Sequence, residues 1–136
     1  MNKKTGIWLD SNNAFIVTIL GTKEMVKRIE SNVEHYHIHG GSGSSTPYSP
    51  QDAVSESKLL ERKKHQEKSY FNKIRLELDD VHVIAIFGPA ETKIGLKKAL
   101  LKHMKLRDKI IHVEAADHMT ENQMKMLIRN FFKMQR

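Results

Sequence analysis

The chain has 136 residues, 39% of them hydrophobic, and no cysteine. That suits one domain with its own core and excludes a disulfide framework, thiol catalysis and cysteine-based zinc sites. The formal net charge of +7 points to a polyanionic partner, nucleic acid or anionic lipid. No segment approaches the ~20 apolar residues of a membrane span, and the N-terminus has no apolar run of the signal-peptide kind, so the expected compartment is the cytoplasm.

Thr5–Asp10 reads as a first strand and Ala14–Leu20 as a β-branched second strand, with Ser11-Asn12-Asn13 as turn chemistry between them. Glu24–Glu30 reads as a third strand, extended in one reading through Val33–His39. Links this short make the three strands antiparallel neighbours. A long Gly/Ser/Pro-rich loop follows over 40–52, with Asp52 or Ser55 as the N-cap of a helix that runs to about Leu78. Leu60, Glu67, Phe71, Ile74 and Leu78 share one stripe of that helix, with Tyr70 beside it. Its first half is nearly all polar and is expected to project past the core.

Val81–Phe87 is an apolar run of the kind that forms a central strand buried on both faces. Gly88-Pro89 ends it, and a second helix is expected over Ala90–Met104 with Leu96, Ala99, Leu100 and Met104 inward. Lys109–Glu114 reads as a fifth strand. Thr120 and Gln123 form a capping box that starts a third helix, with Met124, Leu127, Ile128 and Phe131 on its apolar face. The order β-β-β-α-β-α-β-α predicts a single α/β domain over 1–136 with a mixed five-stranded sheet, order 3-2-1-4-5, flanked by helices as in ribonuclease H-like folds.

The basic residues are unevenly placed. From Lys58 to Arg75 there are seven Lys/Arg and two Glu, a net of +5. From Lys93 to Lys109 there are seven Lys/Arg and one Asp, a net of +6. Lys58, Arg62, Lys63, Lys64 and Lys68 on the first helix, with Lys93 and Lys97 on the second, are the candidate RNA-binding residues, because cations in that density neutralise phosphates. The plainer reading is a solvated helix face with Glu–Lys pairs. Lys93 near a helix N-terminus could also hold a phosphate, although Gly88-Pro89 is sufficiently explained as a strand-to-helix turn. The segment lacks the glycine and lysine spacing of a nucleotide-binding loop.

In order along the chain, Gly6-Ile-Trp-Leu-Asp10, Ala14-Phe-Ile-Val17, His39-Gly-Gly41, a Lys/Arg/Glu-rich helix with Tyr70 near its end, and Gly88-Pro-Ala-Glu-Thr-Lys93 together resemble the middle domain of the eukaryotic and archaeal class I release factor and of its ribosome-rescue relative Pelota. The chain looks like a short bacterial relative of that domain, with the fold called translational machinery component-like. In the release factor the loop tip is Gly-Gly-Gln and promotes hydrolysis of peptidyl-tRNA. Its glycines permit close backbone approach, and a backbone amide near the Gln stabilises developing negative charge. Here Gly40 and Gly41 match and Ser42 stands at the Gln position. Pelota-type domains lack the Gln too. The resemblance therefore implies a ribosome- or tRNA-associated RNA-binding domain without hydrolytic activity.

Three other readings compete. A rescue factor would cleave peptidyl-tRNA with Gly40, Gly41 and Ser42. A scaffold protein would oligomerise along the edge of strand three. In the plainest case the loop is a surface connector. His35, His37 and His39 alternate on one strand face and are the candidate metal ligands. A nuclease would need carboxylates converging on metal ions, and Asp10, Glu77, Asp79, Glu114 and Asp117 are the acids at element ends. No cofactor, small-molecule substrate or membrane partner is expected.

Overall fold

The structure, a computed structural model, describes residues 2–32 and 50–135, and for 50–56 the backbone alone. The N-terminal meander consists of β1 (Lys3–Leu9), β2 (Asn13–Leu20) and β3 (Lys23–Glu30), paired antiparallel in sequence order. Asp10 closes the first turn: its Oδ1 accepts from the backbone N–H of Asn12 at 2.8 Å and of Asn13 at 2.7 Å, the self-bonding that makes Asp a turn residue. β4 (Val83–Gly88) pairs parallel to β1 on its free side, and β5 (Ile110–Ala115) pairs parallel to β4. The sheet order is β3-β2-β1-β4-β5, a mixed five-stranded sheet with flanking helices, as the sequence predicts.

The helices divide between the two faces. α1 (Pro50–Leu76) and α2 (Thr92–Leu101) cover one face, where Tyr70, Ile74, Leu96 and Leu100 meet Ile7, Leu9, Ile84 and Ile86. α3 (Glu121–Met134) covers the other, where Met124, Ile128 and Phe132 pack on Trp8, Val17, Ala85 and Phe87. Both faces of β4 are thus roofed, and Ile84, Ala85, Ile86 and Phe87 are all buried, which is why this strand reads as a continuous apolar run. Gly6 sits under α3: a Cβ there would lie 2.4 Å from Ile128 Cγ2, so the helix approaches β1 more closely than any side chain at position 6 would allow. The capping box forms, with Gln123 N–H donating to Thr120 Oγ1 at 3.2 Å and Thr120 N–H to Gln123 Oε1 at 2.9 Å.

Several sequence expectations are corrected. α1 starts at Pro50 rather than at Asp52 or Ser55, so 50–52 belong to the helix and not to the loop; proline is tolerated in a first turn because its missing N–H would have no partner there. Leu60 is exposed, because the first half of α1 runs beyond the sheet, and only from Tyr70 onward does the stripe meet the core. α1 ends at Leu76 and not at Leu78. Glu77 N–H and Leu78 N–H make tight bonds to Ile74 O and Arg75 O, and Asp80 turns the chain at φ 57°. α2 is shorter than expected at both ends and stops at Leu101. Met104 therefore leaves the inward stripe and is 79% exposed. On α3 the expected face of Met124, Leu127, Ile128 and Phe131 packs on the sheet, and Phe132 joins it as the more deeply buried ring. β4 begins at Val83 rather than Val81. The expected strand extension over Val33–His39 lies outside the described residues.

Candidate nucleic-acid interface

Because α1 and α2 share a face of the sheet, they meet along a groove of about 800 Å³. Contact between them is made by a ring and a glycine. A Cβ on Gly95 would sit 3.0 Å from Phe71 Cζ, so α2 lies directly against that ring. Phe71 itself is stacked on Tyr70, ring centroids 5.7 Å apart. Tyr70 is in turn pinned to the sheet, its hydroxyl donating to Asp10 O at 3.0 Å. Burial, with the Asp10 carboxylate nearby, pushes this phenol far above its ordinary range, so it stays a neutral donor.

The walls of the groove are cationic. Lys64, Lys68 and Arg75 come from α1, and Lys98 and Lys102 from α2 and its C-cap, against the single acid Glu67, a net of +4. His65 and His103 stand among them. Lys64 and Lys68 are four residues apart on α1, as are Lys98 and Lys102 at α2, so each pair lies on one helix face. Asn72 orients Arg75: its Oδ1 accepts from Nε at 3.0 Å and from Nη2 at 2.7 Å. Cations on two facing helices over an apolar floor can hold a run of phosphates.

Of the seven cations singled out from sequence, the groove gathers two, Lys64 and Lys68. Lys58, Arg62 and Lys63 lie on the projecting half of α1 and do not line it. Lys97 is half-buried on another face of α2. Lys93 turns back on its own turn and donates to Ala90 O. Gly88 is explained by packing: a Cβ there would meet Leu9 O at 2.2 Å, so it is the parallel approach of β1 and β4 that requires glycine. Sequence reasoning missed Arg75, Lys98 and Lys102 as partners of Lys64 and Lys68. The spacing of Lys98 and Lys102 was the available signal.

The acids considered for metal-ion chemistry are dispersed, and three of them are engaged through their carboxylates. Asp10 holds its turn and its Oδ2 pairs with His118 Nε2 at 3.0 Å. Glu77 pairs with Lys27 at 2.9 Å and Glu114 with His112 at 2.8 Å. Asp79 and Asp117 take part through their backbone carbonyls, which accept from Lys3 Nζ and Trp8 Nε1. Among the described residues no three His, Asp or Glu side chains gather as a metal ion would require. His35, His37 and His39, with Gly40, Gly41 and Ser42, lie outside the described residues. No helix among the described residues is long and apolar enough to cross a membrane.

No family model matches the chain, and no curated protein matches it. Solved structures do. The Pelota protein of Thermoplasma acidophilum is 16% identical, with 89% of this chain and 30% of that one covered and a TM-score of 0.51. An archaeal protein is 12% identical, with 97% and 38% covered and a TM-score of 0.52. An archaeal translation termination factor is 16% identical, with 97% and 39% covered and a TM-score of 0.46. The chain spans about a third of the length of these structures, and at such identities the likeness is one of fold.

Proposed function

We propose that the chain is a single domain over 1–136 of release- or rescue-factor type, which binds RNA of the ribosome or of tRNA through the α1–α2 groove in the cytoplasm. The observation that carries the reading is the groove itself, where Lys64, Lys68, Arg75, Lys98 and Lys102 face one another with only Glu67 opposed. Cations brought together from two separate helices are a stronger indication of a phosphate site than a basic composition, which solubility alone explains. The sequence resemblance to the release-factor middle domain, and the fold it shares with Pelota, favour a ribosomal or tRNA partner over other polyanions. Ser42 in place of the loop glutamine favours a binding role without peptidyl-tRNA hydrolysis.

Sedimentation with ribosomes across a salt series tests this. Saturable, salt-sensitive co-sedimentation is expected. The paired charge reversal Lys64→Glu with Lys98→Glu is expected to weaken it and to flatten its salt dependence by roughly 0.7 to 0.9 for each phosphate no longer neutralised. Equal sedimentation of variant and wild type would reject the groove, and no sedimentation at low salt would reject the ribosomal partner. Intact peptidyl-tRNA after incubation with the protein and ribosomes is the outcome expected of a binding role.

A further inference from the structure

Two features of the groove restrict what it can hold. The first is its width. Because Gly95 lies against Phe71, α1 and α2 touch directly beneath the groove, the situation in which helix axes run about 8–10 Å apart. An RNA duplex keeps its bases paired and stacked behind a deep, narrow major groove and cannot lay a base on a floor between two helices this close. A single strand can, and the half-buried Phe71 ring on the floor offers the flat apolar surface on which single-stranded bases stack.

The second feature is an asymmetry of charge along the groove. Past Arg75 and His103 it opens into a hollow of about 560 Å³ whose further walls carry Asp79, Asp80 and Asp108 with Lys105 and Lys109. Lys109 Nζ is bound to Val81 O at 2.7 Å. Counting the residues not shared with the groove, two cations against three acids leave the hollow at −1, next to the groove's +4. A phosphate backbone is attracted along the groove and repelled at that end.

We propose that the α1–α2 groove is a single-strand RNA subsite closed at one end, in which the lysines and Arg75 hold consecutive phosphates, Phe71 takes a base, and Asp79, Asp80 and Asp108 turn the strand out to solvent. This rests on the reading of the groove as an RNA site and goes further, in the form of RNA and in the limit on its length.

Fluorescence anisotropy with labelled oligouridine and with an RNA duplex of the same length, each over a salt series, tests it. The wild type is expected to bind the single strand more tightly than the duplex, with a log–log salt slope of about −3.5 if all five cations meet phosphates. Phe71→Leu is expected to weaken the single strand roughly fivefold or more and leave the slope unchanged, since stacking is not ionic. Asp80→Asn with Asp108→Asn is expected to tighten binding of a strand longer than the groove and to steepen its slope; Asn tolerates the left-handed backbone of position 80. A duplex bound as tightly as the strand overturns the proposal, and needs no variant that might fold poorly. Unchanged affinity in the paired Asp variant overturns the closed end. Lys98→Glu with Lys102→Glu separates the two levels. Weakening of both ligands together, without discrimination between them in the wild type, defeats this inference and leaves the RNA site standing. No effect on either ligand defeats the RNA site as well.

Discussion

Substituting Gly88 separates two readings of the same motif. A phosphate-binding turn and a tight strand junction both place glycine before Pro89, but they fail differently. In Gly88→Ala the new Cβ would lie 2.2 Å from Leu9 O and 3.4 Å from Leu9 C. Ordinary contact begins near 3.4 Å, so the oxygen and the methyl group must separate by roughly 1.2 Å, about a quarter of the spacing between adjacent strands. Neither partner is a flexible side chain. Leu9 O is backbone at the end of β1, next to Asp10, whose carboxylate holds the β1–β2 turn and whose carbonyl holds Tyr70. The strain therefore cannot be relieved by a rotamer change.

Overpacking of this kind costs about 1–3 kcal/mol, and a weakened hydrogen bond beside it adds about 1 kcal/mol. The expected total of about 2–4 kcal/mol is a large share of the ~5–15 kcal/mol that holds a domain folded. In urea, with a slope of about 2 kcal/mol per molar, the midpoint should fall by about 1–2 M. Measured on protein that is still folded, RNA affinity should be unchanged, because Gly88 does not line the groove. The phosphate reading demands the reverse, a retained midpoint and reduced affinity. That result would refute the packing argument.

Tyr70→Phe removes one buried hydrogen bond to Asp10 O and should cost about 1 kcal/mol near neutral pH. The folded phenol is held neutral with a raised pKa, so its contribution is complete below the unfolded value near 10 and is lost as pH rises above it. Denaturation midpoints of the two proteins should therefore converge above about pH 10, and a gap that stays constant would show that ionisation of the phenol is not linked to folding. Asp10→Ala deletes both turn bonds and the His118 pair and should lower stability by about 1–2 kcal/mol. RNA incubated with magnesium and either protein should stay full length, and cleavage by the wild type that vanished in this variant would make Asp10 catalytic.

Most of the architecture was legible because it follows from local rules. Links of three residues or fewer between strands leave no choice but antiparallel neighbours, and an apolar run such as Ile84–Phe87 leaves little choice but a roofed central strand. The Thr120–Gln123 box marks its helix start through two bonds that need nothing beyond the segment itself. The errors occur where tertiary packing decides. Leu60 fits the helical stripe but has no sheet beneath it, and Met104 fits the α2 stripe but the helix stops at Leu101. Phe131 does pack in the core under α3 as expected, and Phe132, which the stripe omitted, is buried deeper beside it.

The same distinction explains the site. Sequence reveals two basic blocks, but a block has cations all round its helix, and only the stripe facing a second helix forms a groove. What selects that stripe carries no charge. Tyr70 fixes the rotation of α1 by bonding Asp10 O, Phe71 then points at α2, and Gly95 lets α2 close upon it. Lys64, Lys68 and Arg75 face Lys98 and Lys102 as a consequence, while Lys58 and Arg62, one stripe away, do not. The geometry of the groove is thus held by a tyrosine, a phenylalanine and a glycine, while the lysines that line it contribute little to packing. Charge reversals in the groove should therefore alter binding with little change in stability, whereas changes at Tyr70 or Gly95 should alter both.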